Sequence, residues 1–595
     1  MTEDKFGARV AGAHTTFGLW APAAQTVELL LDRPIVLTRQ DGGWYTVTLS
    51  DAGAGTRYQY RIDGQLTVPD PASSFQPDDV FGPSEVIDHS SFSWRATDWK
   101  GRPWHEIVIL EAHVGTFTAE GTYRALIDRL DHLVATGITA IELMPLNDFP
   151  GRRNWGYDGV LWYAPDSSYG RPEDLKALVD AAHLRGLAVF LDVVYNHFGP
   201  DGNFLGRYAP EVFDQAASTP WGAAIDYDRP EVRAFAIESA LQYLRDYRFD
   251  GLRLDAVHAI GTPHRKRSDG ALLHDLSRAV GELARRQDRH IHLVLENDDN
   301  EAALLAPAAD PPDGRYRAQW NDDFHHVWHV LLTGEDGGYY RDYADAPRAR
   351  LGRVLTSGFA YQGEPSAHRD RQPRGEASGH LSPLAFVDFL QNHDQIGNRA
   401  LGDRLAALAR PEAIDAALAV MLLAPMPPLL FMGEEWGSRQ PFPFFCDFEG
   451  ELADAVRRGR RREFKAAYER FGDAVPDPLD EATFRSAKLD WDARDTDAGQ
   501  RRLTLVRGLL RVRQRDLVPL MTEVAFAAPT ANSSPDTPVV TARYRLGQDR
   551  MLALLANLSD APQPRPQDDD GASTPIWGGA PPATLPPWSV SWQLA

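Results

Sequence analysis

Between about residue 105 and residue 432 the chain alternates short apolar runs with segments of helical period, eight times in succession. The candidate strands are Ile107–Ala112, Ile138–Met144, Ala188–Val194, Phe249–Asp255, Ile291–Glu296, Ala318–Asn321, Ala385–Gln391 and Leu429–Met432. Between them, Tyr123–Thr136, Pro172–Arg185, Pro230–Tyr247 and Pro411–Leu423 carry the helical period. Parallel strands need long crossovers, and helices must cover the outside of the sheet they form. Eight such units in order predict a (β/α)8 barrel. The most apolar stretch, Ala413–Met432, holds Asp415 and three prolines (Pro425, Pro427, Pro428), so it reads as a helix and a buried strand rather than a membrane span.

The 595 residues exceed what a barrel needs. Residues 1–97 carry short alternating runs, such as Thr16–Trp20, Val27–Leu31 and Tyr58–Ile62, separated by Asp-Gly turns. They predict an immunoglobulin-like β-sandwich, left through a polar connector over Val68–Pro83. The expected fold class is therefore multidomain. A (β/α)8 TIM barrel with a helical extension spans 98–515, and a small C-terminal antiparallel β domain spans 516–595, with Ala561–Pro586 as loops within it.

Charge and cysteine content exclude several functions. Acidic residues outnumber basic ones 84 to 62, a formal −22. That field repels nucleic acid and anionic membranes and leaves neutral, polyhydroxylated or cationic partners. The run Arg457–Arg462 then reads as a solvated helix face. A single cysteine, Cys446, rules out an intrachain disulfide framework and a cysteine-based zinc site. The first residues, Met1–Lys5, lack the basic start and apolar core of a signal peptide, and a cytoplasmic protein is expected.

Barrel enzymes work at the C-terminal ends of their strands. The third strand ends Asp192-Val193-Val194-Tyr195-Asn196-His197, and the fourth carries Arg253, Asp255 and His258. Glu296 closes the fifth, and Asn392-His393-Asp394-Gln395 follows the seventh. One such carboxylate is usually a cap or turn residue, but several converging on one rim suit glycoside hydrolysis. That reaction needs a proton donor for the leaving oxygen and a carboxylate to meet the oxocarbenium-like centre. Alternation turns Arg253 and Asp255 to the same side, so the cation keeps Asp255 ionised as a nucleophile requires. Glu296 ends a more apolar run, where a raised pKa suits an acid.

In combination these motifs resemble the four signature regions of the α-amylase family of glycoside hydrolases. The resemblance covers roughly residues 1–515. It implies Asp255 as nucleophile, Glu296 as acid/base and Asp394 as the carboxylate that grips the −1 sugar. It makes Arg253, His197 and His393 contacts of that sugar, and Tyr157, in Asn154-Trp155-Gly156-Tyr157-Asp158, the aromatic beneath its ring. The bland reading of Tyr157 is core packing. Phe17–Pro22 is similar to the sandwich that precedes the barrel in branching, debranching and trehalose-forming members. Glu296-Asn297-Asp298-Asp299, Leu254–His258 and Trp320–His326 look most like the trehalose-releasing subfamily, which acts on maltooligosyltrehalose. Ala112 stands where that pattern has Leu.

The resemblance implies an enzyme upstream, maltooligosyltrehalose synthase, and maltooligosaccharides as product and competing substrate. The alternative is a glucan branching transferase on the same scaffold. His258, Asp323 and Gln395 are expected to touch substrate, with Asp322, Asp323, Phe324 and Gln395 forming the leaving-side pocket. His325, His326 and His329 share a helix without an evident third metal ligand, and read as structural or substrate contacts. Asn196 matches a calcium ligand of some relatives. The loop His197–Asp228, however, offers Asp201, Asp214 and Asp226 without a calcium-loop spacing, so neither metal nor cofactor is expected.

Overall fold

The computed structural model describes residues 5–219, 222–260, 271–305, 316–527, 537–566 and 573–595, with the side chains of 215–219 and 473 left aside. Eight parallel strands close into a barrel. They are Ile109–Ala112, Ala140–Leu143, Ala188–Val193, Gly251–Leu254, His292–Leu295, Ala318–Trp320, Phe386–Phe389 and Pro428–Phe431. Every residue in them is buried, which is why they read as near-continuous apolar runs. Asp255 and Glu296 fall just beyond the last paired residues of the fourth and fifth strands, Leu254 and Leu295, on the rim.

Helices Pro172–His183, Pro230–Arg245 and Pro411–Leu423 each begin on a proline, where its missing N–H and fixed φ cost nothing. The expected Tyr123–Thr136 helix is instead two, Tyr123–Ile127 and Leu130–Thr136. At the break Arg129 N–H turns to Leu126 O (2.9 Å), and the Arg129 guanidinium lies 4.5 Å over the Trp491 ring. Among the described residues no helix is long and apolar enough to cross a membrane.

The N-terminal strands form two sheets, one through Gly7–Ala11, His14–Trp20 and Trp44–Leu49, the other through Val27–Leu30, Arg57–Ile62 and Leu66–Val68. The Val68–Pro83 segment is not the solvated connector its polarity suggests. Asp70, Ser73, Phe75, Gln76 and Val80 are buried, and Asp70 accepts from the Tyr58 hydroxyl at 2.7 Å and Ala72 N–H at 2.9 Å. Its polar residues satisfy one another, so polarity here is internal. Asp79 accepts from Gly151 N–H (2.9 Å) and Glu238 from Lys5 N–H (3.2 Å), fastening sandwich to barrel.

The C-terminal sheet runs in the order Val524–Phe526, Val539–Leu546, Arg550–Asn557, Ser589–Leu594, Thr574–Trp577. The stretch expected as loops thus supplies an edge strand, Thr574–Trp577, though residues 567–572 lie outside the described ones. Pro575 disguises it, since proline is tolerated only at such an edge. The sheet rests on helix Pro411–Leu423, buried continuously from Ala416 to Leu423. Trp592 Nε1 donates to Ala419 O at 2.9 Å. Buried Arg513, from the segment after helix Asp497–Val512, donates to the carbonyls of Leu422 (3.2 Å) and Met426 (2.9 Å).

Candidate active site

Arg253 organises the rim. Its guanidinium is fully buried, 4.1 Å over the Trp320 ring. Nη1 donates to Asp192 Oδ2 (2.7 Å) and to Asp255 Oδ1 (2.8 Å), while Nη2 ion-pairs with Glu296 Oε2 at 3.0 Å. One planar fork thus ties the ends of the third, fourth and fifth strands, a task a lysine point charge does poorly. Asp255 turns its other oxygen, Oδ2, to the Asn196 amide at 2.7 Å. Asn196 Oδ1 faces His197 Nδ1, so the residue that matched a calcium ligand serves as a donor to the candidate nucleophile. Among the described residues no three His, Cys, Asp or Glu side chains assemble into a metal site.

Glu296 is placed by backbone strain next door. Ala256 sits in the left-handed region (φ 41°, ψ 48°), which is costly for a residue with a Cβ and typical of functional sites. That twist aims Ala256 N–H at Glu296 Oε2, 2.7 Å away. Burial pushes the Glu296 carboxyl well above the ordinary range, Asp255 and Asp394 add to the push, and Arg253 opposes it. A shift in that direction suits an acid catalyst.

Asp394 lies in the first turn of the short helix His393–Gly397, its N–H donating to Asn392 Oδ1 at 2.9 Å. His393 lies between two carboxylates, Nδ1 2.5 Å from Glu111 Oε1 and Nε2 3.3 Å from Asp394 Oδ1. Burial alone would push this imidazole down, but Asp394 and Glu111 outweigh it and hold the pKa well up. Burial likewise works against the Asp394 carboxylate, yet His393 and Arg253 hold its pKa below the usual value. Tyr157 stacks on His393 at 5.0 Å and 23°, and its hydroxyl donates to Asp192 Oδ2 at 2.6 Å.

A cavity of about 520 Å³ opens above these groups. Asp255, Glu296 and Asp394 line it together, as do Tyr157, His197, His258 and Gln395. Arg253 and His393 are not among its lining residues. They lie beneath the floor as supports, Arg253 for Asp255 and Glu296, His393 for Asp394. Asp323 is not in the cavity either. It is 0% exposed and spends its oxygens on the N–H groups of Ala360 (2.7 Å) and Tyr361 (3.1 Å), Asn300 (3.0 Å) and Arg374 (3.0 Å). Asp322, one residue earlier, lines the cavity instead, its carboxyl pushed up to about 7 by burial and then by Asp298. Phe324 is fully buried behind it.

Of the three histidines, His326 lines the cavity, whereas His325 is held by Leu390 O (2.5 Å) and His329 by Glu335 (2.7 Å). Sequence reasoning missed Ala256, whose strain leaves no sequence mark, and the donor role of Asn196. It also missed Phe444 and Arg460 on the cavity wall. Arg460, read as part of a solvated face, has a side chain only 16% exposed.

Comparison with known proteins accords with this geometry. Residues 89–210 match the profile of the alpha amylase catalytic domain, 5–73 that of carbohydrate-binding module 48 (isoamylase N-terminal domain), and 530–592 that of a domain of unknown function, DUF3459. The chain is 45% identical over 510 residues to the malto-oligosyltrehalose trehalohydrolase of Deinococcus radiodurans, covering 85% of this chain and 82% of that one. It is 41% identical to the enzyme of the same name from Arthrobacter ramosus, covering 91% and 92%. A crystal structure described as a candidate alpha amylase of Salmonella typhimurium superposes with a TM-score of 0.92 at 42% identity, each chain covered in full.

Proposed function

The chain belongs to the malto-oligosyltrehalose trehalohydrolase family, and from that membership we propose how its carboxylates do the work. Its activity is hydrolysis of the α-1,4-glucosidic bond beside the terminal trehalose unit of maltooligosyltrehalose. Free trehalose leaves, and a shortened maltooligosaccharide remains. The observation that carries the assignment of roles is the buried guanidinium of Arg253, which joins Asp255 and Glu296, with burial pushing the Glu296 carboxyl well up.

Asp255 attacks the anomeric carbon of the −1 glucose and forms a glycosyl ester. The bond from that carbon to the trehalose oxygen breaks, and Glu296 gives its proton to that oxygen. With trehalose gone, the Glu296 carboxylate takes a proton from water, whose oxygen attacks the same carbon and frees Asp255. Two inversions retain the anomeric configuration. Asp394 holds the −1 hydroxyls, Tyr157 offers its ring beneath that sugar, and His197, His258 and Gln395 add polar contacts. Asp322, rather than Asp323, belongs to the leaving-side wall.

The substrate's chemistry calls for a maltooligosyltrehalose synthase upstream. A glucan-derived substrate and one buried thiol, Cys446, fit a cytoplasmic protein. Maltotriosyltrehalose and a plain maltooligosaccharide of similar length test the activity side by side. The expected result is trehalose plus maltotriose from the first and much slower cleavage of the second. New α-1,6 branch points in amylose without trehalose release would overturn it in favour of a branching transferase.

A further inference from the structure

We infer that Phe444 and Arg460 hold the glucan arm of the substrate, beyond the −1 glucose and away from trehalose, an inference that rests on the trehalose-releasing activity. The cavity wall divides by strand order around the ring. His258, Asp298, Asp322 and Tyr339 follow the fourth, fifth and sixth strands, while Trp155, Asn398, Phe444 and Arg460 follow the second, seventh and eighth. Glu296, which protonates the leaving oxygen, ends the fifth strand, so the leaving group lies toward the first half of the ring. The arm must then run toward the second half.

That second half is built to hold a sugar. Trp155 stands edge-on to Phe444 at 5.2 Å and is itself fixed flat against Phe442 (5.4 Å, 14°). Gly397 permits this approach, because a Cβ there would come within 1.9 Å of the Trp155 ring. Arg460, on helix Gly450–Glu463, is clamped between the rings of Phe444 (5.0 Å) and Phe464 (4.7 Å). Its Nη2 donates to Gly397 O and its Nη1 to Glu463 Oε2, each at 3.0 Å. Two of its five guanidinium N–H donors are thereby engaged, and the fixed group lines the cavity beside the Phe444 ring. A pyranose matches that pairing, with apolar C–H faces for the ring and hydroxyl oxygens for the cation. Arg457, by contrast, pairs with Asp477 at 2.7 Å on the outside of the same helix.

The test compares Phe444→Ala and Arg460→Gln with wild type on two substrates. Glucosyltrehalose has a one-glucose arm that ends at the −1 site, whereas maltotriosyltrehalose reaches two glucoses farther. Both variants should keep wild-type kcat/KM on glucosyltrehalose. On maltotriosyltrehalose they should lose about ten- to a hundredfold, the worth of one charge-assisted hydrogen bond or one well-packed contact. Equal losses on both substrates, or no loss on either, would overturn the assignment. Should Phe444→Ala fail to fold, Arg460→Gln, a change on a partly exposed side chain, carries the test alone. If wild type itself releases no trehalose, the activity is what fails, and the arm-length dependence is then read on plain maltooligosaccharides.

Discussion

Replacing Tyr157 with Phe keeps the ring and deletes one oxygen, and its cost should depend on pH in a way the site dictates. The hydroxyl donates to Asp192 Oδ2 at 2.6 Å, and Asp192 is 2% exposed. Burial pushes the Asp192 carboxyl up to about 6, against the pull of Arg253 and of the Tyr157 hydroxyl. A hydrogen bond to an ionised group is worth about 1.5–3 kcal/mol and one to a neutral partner about 1 kcal/mol. The difference raises the carboxyl's pKa in the variant by roughly one unit, at about 1.4 kcal/mol per unit.

The sign follows from linkage. The folded pKa of Asp192 lies above the unfolded value of about 3.9, so the stability tied to its proton is fully present below that value. It is lost as pH rises through about 6 in the wild type. In Tyr157→Phe the loss continues to roughly pH 7. The variant should therefore be destabilised by about 1 kcal/mol at pH 5 and by about 2 kcal/mol at pH 8. Urea unfolding of both proteins at the two pH values measures this. An equal penalty at both, or a larger one at pH 5, would refute the ionised Asp192–Tyr157 bond.

Four further outcomes are expected. Ala256→Gly relieves the left-handed strain and should raise stability by up to about 1 kcal/mol in thermal melts, with trehalose release retained because the Ala256 N–H is a backbone group. Asp323→Asn breaks a buried pair with Arg374 and should cost about 3–5 kcal/mol of stability. Asp322→Asn should leave folding intact but remove a charge that raises the Glu296 pKa, so the alkaline limb of kcat/KM moves to lower pH. Prolonged dialysis against EDTA should leave trehalose release unchanged, and loss restored by calcium would show a metal requirement.

The barrel was legible because its strands are buried on both faces, and burial writes itself into sequence as unbroken apolar runs. The three carboxylates were legible because they follow those runs directly. What escaped lies where a single residue sets direction. Asp322 and Asp323 are consecutive at the start of helix Asp322–Thr333, about 100° apart around its axis, and only the helix's rotation on the barrel decides which one meets the cavity. Arg253 and His393 were expected at the rim, and the structure buries both against the carboxylates, because strand position gives height along the barrel axis and says little about what covers the side chain. Arg460 escaped because four neighbouring arginines and a glycine mark a charged helix, while the two rings that clamp it come from residues 444 and 464.

The seat of helix Pro411–Leu423 bears on how the protein is made. Its outer side is covered by Trp592 and its C-terminal end by Arg513, both synthesised after the eighth barrel strand is complete. A chain still attached to the ribosome at Phe431 has all eight strands, yet lacks the residues that cover this apolar helix. N-terminal parts fold first during translation, so the sandwich and early strands can form on schedule while helix Pro411–Leu423 waits for the C-terminal sheet. Nascent chains in that interval expose the Ala416–Leu423 surface and are the species on which chaperones should act. Loss of strand Ser589–Leu594, which carries Trp592, would leave one side of that helix uncovered permanently.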